Sequence, residues 1–219
     1  MKTTTAYKLL YWGSKKRFIE QYGKAFYSRF REESDQELRA LLPRLPEIKD
    51  SYFDMNYKMI AAYVAIYNTA LKFAETKNHA DDILWMMNEE LMTKMPKPMV
   101  KGVRRSYLGK KKLELKELQK RGEAGLLDPL DWRVKVVECP DGSYYYNITE
   151  CGAFKALKAI GEDKVFPCIC RLDYLTAHIA GIKFERNKTI ADGDDCCNNH
   201  IMGIGHTQWS PGQGFENRK

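Results

Sequence analysis

The chain has 219 residues, 44% hydrophobic and 12% aromatic, enough to bury a core and to exclude wholesale disorder. No run of 18 uncharged apolar residues occurs, which excludes a transmembrane helix, and the stretch from Met1 to Phe18 is too polar for a secretory signal. The formal net charge of +7 is uneven: residues 1–130 hold 25 basic and 17 acidic side chains, residues 131–219 hold 11 and 12, and all six cysteines lie after residue 138.

The first 120 residues read as helices. Phe18, Ile19, Tyr22, Phe26 and Phe30 recur at three- and four-residue spacing and predict an amphipathic helix from about Ser14. Ser34-Asp35-Gln36-Glu37 has the form of a capping box and predicts a new short helix, interrupted or ended by Pro43 and Pro46. Met59, Tyr63, Ile66, Tyr67, Ala70 and Phe73 predict a long helix over about 54–77. Another is expected over about 80–94. Beyond Pro96 and Pro98, a basic helix is expected over about 101–121.

The texture then changes. Gly122, Gly125 and Asp128-Pro129 form a linker. Trp132, Val134 and Val136 alternate with charged residues and predict a strand. Pro140-Asp141-Gly142 predicts the turn of a hairpin whose second strand covers 143–148. Short helices are expected over 151–160 and 169–180, ended by Gly161 and Gly181. Strands are expected over 182–190 and 197–204, with a turn at Asp192-Gly193-Asp194-Asp195 between them. The fold class is therefore α+β: a helical N-terminal layer, then an antiparallel sheet with two interleaved helices. Residues 1–121 form the helical region and 131–204 the cysteine-containing region, read as one continuous domain, with a loosely ordered tail over 205–219.

Without a signal, the six cysteines are expected as reduced thiols in a cytoplasmic protein, available for packing, metal binding or nucleophilic attack. The most informative segment runs from Phe166 to Tyr174. In a helix starting near Ile169, Cys170 and Asp173 are three apart and share a face. A thiolate there could attack an electrophilic carbon while the carboxyl moves a proton. A carboxylate alone raises a thiol's pKa, so activation also needs a helix start or a cation such as Arg171 or Arg186. Standing alone, Cys-x-x-Asp is a weak signal, and a packed cysteine is commoner. Cys197 opens a strand, either as a second active-site thiol or as a core residue.

Metal binding is the other use of these side chains. Cys168-x-Cys170 with Cys196-Cys197-x-x-His200 offers enough zinc ligands, but neither pair has the Cys-x-x-Cys spacing, so no metal is expected. No histidine pattern marks a general base; His200, three residues after Cys197, points to the opposite face of its strand. The basic run over 101–121 is interleaved with leucines and glutamates and reads as a solvated helix face, so no nucleic acid is expected. No phosphate loop, dinucleotide fingerprint or serine elbow occurs.

One ordered series carries a family resemblance. Cys151 follows the hairpin, Cys170-Arg171-Leu172-Asp173-Tyr174 forms a Cys-x-x-Asp-Tyr, Phe184-Glu185-Arg186 leads to Thr189-Ile190, and Gly193 precedes Cys197 by four residues. This resembles the L-2-amino-thiazoline-4-carboxylate hydrolase-like proteins, firmly from about Tyr144 to His200 and more loosely from Met59 to Glu90. Asn198 and Asn199 stand where that family carries an Asp and an aromatic. The resemblance implies cofactor-free hydrolytic opening of a small cyclic amidine or amide at a carbon–nitrogen bond. It implies Cys170, Asp173, Cys197 and Cys151 as catalytic residues, with Cys170 the nucleophile. Arg186, Arg171, Thr189 and His200 are the substrate-binding candidates. The expected partner is a small-molecule substrate, with no nucleic acid and no membrane, and a homo-oligomer allowed. The competing readings are a small-ligand or metal sensor using the same thiols, and a partner-binding protein whose cysteines are core.

Overall fold

The computed structural model describes residues 2–210. Contacts divide the chain into two compact units, one holding α1–α4 and residues 157–169, the other residues 47–52, 95–156 and the chain from Cys170 onward.

In the first unit, α1 (Thr3–Tyr22) and α2 (Lys24–Leu41) are separated by Gly23, whose φ of 85° is open to glycine at little cost. The aromatic periodicity expected to run through one helix is therefore split in two. Phe18 on α1 meets Phe30 on α2 at 5.0 Å between ring centres, so the stripe closes on itself across the break. The capping box is also corrected: Ser34 lies buried inside α2, because the run from Lys24 to Leu41 continues without a breaker. The helix ends where Pro43 was expected to end it, in a 3-10 turn over Leu42–Arg44. α3 (Asp54–Lys72) and α4 (Ala80–Thr93) follow nearly as expected, and Ile66, Ile83, Leu84 and Met87 on them are all buried to within 1%.

In the second unit, α5 (Lys97–Arg105), a π turn (Ser106–Lys110) and α6 (Lys111–Glu123) form one helical stretch. It starts four residues earlier than expected, because Pro98 sits in the first turn, where a missing N–H costs nothing. β1 (Arg133–Glu138), β2 (Tyr144–Glu150), β3 (Ile182–Glu185) and β4 (Cys197–Ile204) form an antiparallel sheet in the order β1-β2-β4-β3. Between β2 and β3 the chain forms α7 (Gly152–Lys158) and α8 (Phe166–Ala180), the two interleaved helices expected. The fold is α+β.

β3 is shorter than expected. It stops at Glu185, and the chain reaches a 3-10 turn at Ile190–Asp192 whose Gly193 adopts φ 95°. Alternate residues of β4, namely Cys197, Asn199 and Ile201, are buried with Tyr144 and Tyr146 of β2 and Phe184 of β3. This buried face carries the site. Of the expected tail, Thr207 is buried and donates to Ile182 O at 2.5 Å, while residues 211–219 lie outside the described residues. Among the described residues no helix is long and apolar enough to cross a membrane.

Candidate functional site

α8 starts at Phe166, not near Ile169. Cys170 thus stands in the second turn, away from the helix start that was expected to favour its thiolate, and the nearby positive charge comes from Arg186. The three-residue spacing still places Cys170 and Asp173 on one side of α8. Arg186, just past β3, reaches that side: Nη1 donates to Asp173 Oδ2 at 2.6 Å and Nη2 donates to the carbonyl of Cys170. The Arg186 side chain is only 2% exposed, against 46% for Asp173. Its guanidinium lies near the rings of Tyr174 and Phe184, at 5.4 and 5.7 Å from their centres. Tyr174 donates its hydroxyl to Arg186 O, which fixes the backbone that carries the cation.

From the sheet, Asn199 joins this group. Its Oδ1 accepts from Arg186 Nη1 at 3.4 Å, and its Nδ2 donates to the carbonyls of Tyr146 and Cys197, both at 3.1 Å. Sequence reasoning noted Asn199 only as a departure from a family pattern. Its alternation with Cys197 in β4 was the available signal that the two share a face. Cys197 is buried, and its Sγ accepts from Ile190 N at 3.3 Å. Cys151, directly after β2, completes the group. Cys151, Cys170 and Cys197 lie close enough for each to feel the charge of another.

Burial dominates the thiols' chemistry. It pushes Cys151 up to about 12, against the help of the amides of Phe154 and Ala153 and the Trp132 side chain. It raises Cys170 further, with Arg186 as the chief opposing influence. Cys197 is raised by burial too, opposed by the Ile190 amide and Arg186. Burial works to weaken the hold of Arg186 on its proton, but Asp173, then Cys170, outweigh it and raise its pKa. The site thus holds an ion pair, buried on its Arg186 side only, beside neutral thiols.

The other expected site residues lie elsewhere. Arg171, 1% exposed, pairs with Asp192 at 3.2 Å instead of joining Arg186. Thr189 accepts from Asp192 N and donates to the Asp192 carboxylate, capping the 3-10 turn. His200 faces away from Cys197, as the strand period requires: it stacks on Tyr145 at 3.9 Å and contacts Ser143 Oγ at 3.0 Å. With Tyr145, Tyr174 and Arg186 it lines an open groove of about 440 Å³, so His200, though turned from Cys197, borders the same space as Arg186.

Cys168 belongs to the first unit, buried, with Sγ against Asp81 O at 3.8 Å and its carbonyl accepting from Trp85 Nε1 at 3.1 Å. Cys196 is half-buried beside Asp195. All six cysteines are free thiols. Among the described residues no three His, Cys, Asp or Glu side chains are grouped to hold a metal ion.

Neither a curated protein nor a solved structure matches the chain. A family model described as L-2-amino-thiazoline-4-carboxylic acid hydrolase matches residues 52–201. The match takes in both stretches that carried the resemblance, and every residue of the thiol and Arg186 group falls inside it. Covering well over half of the 219 residues, it makes this chain a member of the L-2-amino-thiazoline-4-carboxylic acid hydrolase family.

Proposed function

We propose that the protein is a cysteine-dependent hydrolase that opens a small cyclic amidine or amide without a cofactor. Family membership gives the coarser statement, hydrolase-like chemistry. The observation that carries the finer reading is the gathering of Cys170 and Cys197 about the buried Arg186, which pairs with Asp173, with Cys151 within electrostatic reach of both thiols.

In the empty site the thiols keep their protons, because the charge of Arg186 does not offset the loss of water. A bound amidinium supplies that charge and lowers the pKa of the attacking thiol. Its sulfur then adds to the amidine carbon. One ring bond at that carbon breaks, and the departing heteroatom takes up the proton that the thiol released, with Asp173 as the carrier. Water next adds to the carbon and expels the sulfur, which recovers its proton. A substrate carboxylate fits Arg186, whose Nε has no hydrogen-bond partner among the described residues. The partner implied is a small molecule.

The experiment is a turnover screen over L-2-amino-thiazoline-4-carboxylate, other cyclic amidines, hydantoins and lactams, with mass spectrometry for a substrate adduct on a cysteine. Turnover that disappears when Cys151, Cys170 and Cys197 are all replaced by serine supports the reading. Turnover that survives the triple replacement, or none on any ring class, rejects it.

A further inference from the structure

The basic run over 101–121 is expected from its sequence to be a solvated helix face, and several of its lysines fit that. Lys110 pairs with Glu114 at 3.1 Å, and Lys112 and Lys116 reach Glu138 at 3.4 and 2.5 Å. Lys111 differs. It is half-buried, and among the described residues no carboxylate stands within ion-pair reach of it, those nearest in the helix being taken by its neighbours. Its ammonium lies instead over the ring of Tyr107, 3.9 Å from the centre, and 4.8 Å from the centre of the Tyr146 ring. It donates to the Tyr146 hydroxyl oxygen in a long contact of 3.4 Å.

Local geometry puts the ammonium there. Tyr107 belongs to the π turn between α5 and α6, a rare form that concentrates at functional sites. The Tyr144 hydroxyl donates to Tyr107 O at 2.7 Å and pins this turn to β2. Tyr146, 3% exposed, pairs in register with Asn199 of β4, and directly opposed residues of two strands stand side by side on one face. Asn199 in turn accepts from Arg186 Nη1 at 3.4 Å. Lys111 therefore meets the same buried face that carries Asn199, Cys197 and the Arg186 group.

The hydrogen-bond count at this corner does not close. An ammonium has three N–H donors, and Lys111 spends one of them on Tyr146. The Tyr146 oxygen accepts there, so its own hydrogen is left over, and among the described residues that hydrogen meets no acceptor. Tyr144 is the contrast, its hydrogen spent on Tyr107 O. A cation and a buried hydroxyl thus converge with donors to spare, and an anionic oxygen is the group that completes them.

We infer that Lys111 and Tyr146 form an anion-binding corner that takes the carboxylate of the substrate ring. Resting on the cysteine-hydrolase reading, this corner deepens it. The carboxylate gains an anchor besides Arg186, whose Nη groups are already engaged by Asp173, Asn199 and Cys170. Lys111 then selects acidic rings over neutral rings of the same shape, because a neutral ring leaves its charge uncompensated on binding.

The test uses two aromatic rings that hydrolysis does not open, 2-aminothiazole-4-carboxylate and 2-aminothiazole, which differ only in the carboxylate. Their dissociation constants are measured by calorimetry on the original protein, Lys111→Met and Lys111→Arg, with thermal melts to check folding. The original protein is expected to prefer the carboxylate. Lys111→Met keeps the stem against the two rings and should weaken the carboxylate about tenfold, the loss of one charge-assisted hydrogen bond, while the neutral ring is unmoved. Lys111→Arg should restore most of the preference. Equal affinity for the two rings, no binding of the carboxylate, or an undiminished preference in Lys111→Met overturns the inference. Should Lys111→Met fail to fold, Tyr146→Phe decides, with a loss confined to the carboxylate expected and an unchanged preference against the proposal. No turnover enters this experiment, so a failed turnover screen leaves its result standing. Conversely, an acidic ring turned over by Lys111→Met with the original KM sinks this inference while the cysteine-hydrolase reading survives.

Discussion

Arg186 and Asp173 meet at 2.6 Å across a steep change of environment, the guanidinium side chain 2% exposed and the carboxylate 46%. The cation depends on this one partner for charge, since its other acceptors, Asn199 Oδ1 and the Cys170 carbonyl, are neutral. Asp173→Asn keeps the shape and removes the charge. We expect a loss of stability on the order of 1–2 kcal/mol, below the range for a fully buried pair because Asp173 is half in water. As the proton carrier, Asp173 should also account for roughly 10²–10⁴ of turnover. Thermal melts and kcat measured together test this: an intact melt with unchanged kcat would assign the residue to neither role.

The thiols give the protein an alkaline weakness. In the unfolded chain a cysteine ionises near about 8.5, whereas burial raises Cys151 to about 12 and raises Cys170 and Cys197 as well. Above pH 8.5 the unfolded state releases protons that the folded state keeps. Stability is therefore whole below that pH and is lost as pH rises toward the folded values, on the order of 1 kcal/mol per pH unit per thiol. Tyr11 and Tyr146, also raised by burial, add to the slope above about pH 10. Tm should hold from pH 7 to 8 and fall from 9 to 11, less steeply in Cys151→Ala. Parallel curves for the two proteins would show that this thiol contributes nothing to the slope.

Cys168 serves as the internal contrast. It is 1% exposed and packs against α4, in the first unit. Cys168→Ser places a hydroxyl where a weakly polar sulfur sat and should cost about 1–2 kcal/mol. Its kcat should remain within about twofold of the original at a temperature where the variant is folded. A loss as deep as that of the site cysteines would place Cys168, two residues before Cys170 on α8, among the active thiols.

Gly152→Ala is expected to be among the most damaging small changes. The added methyl meets Leu130 O at 2.4 Å and the Trp132 ring at 2.6 Å, and one of these contacts is backbone. Overpacking of this kind costs about 1–3 kcal/mol. Displacement of Trp132 should appear as a shift in tryptophan fluorescence. A variant with the original melt and emission spectrum would show that the loop yields freely.

Much of the fold was legible because it is written in local periods. The 3.6-residue spacing of Met59, Tyr63, Ile66 and Ala70 gave α3, and the alternation around Pro140-Asp141-Gly142 gave the β1–β2 hairpin. Element boundaries were missed where a residue's local preference had more than one reading. Gly23 broke a helix that the aromatic spacing seemed to continue, and Ser34 looked like a cap but lay inside α2.

For the site, the sequence alone determined which residue types were in play. It named Cys170 and Asp173 as one helix face, set Cys197 opposite His200, and put Arg186 among the cations for a carboxylate. Only the tertiary structure decided which of two arginines joined them. Arg171 is adjacent to Cys170 in sequence, yet a helix turns neighbours about 100° apart, and it pairs with Asp192 instead. Arg186 is distant in sequence, yet it follows the strand beside β4, so sheet pairing brings it to Asn199 and to Cys170.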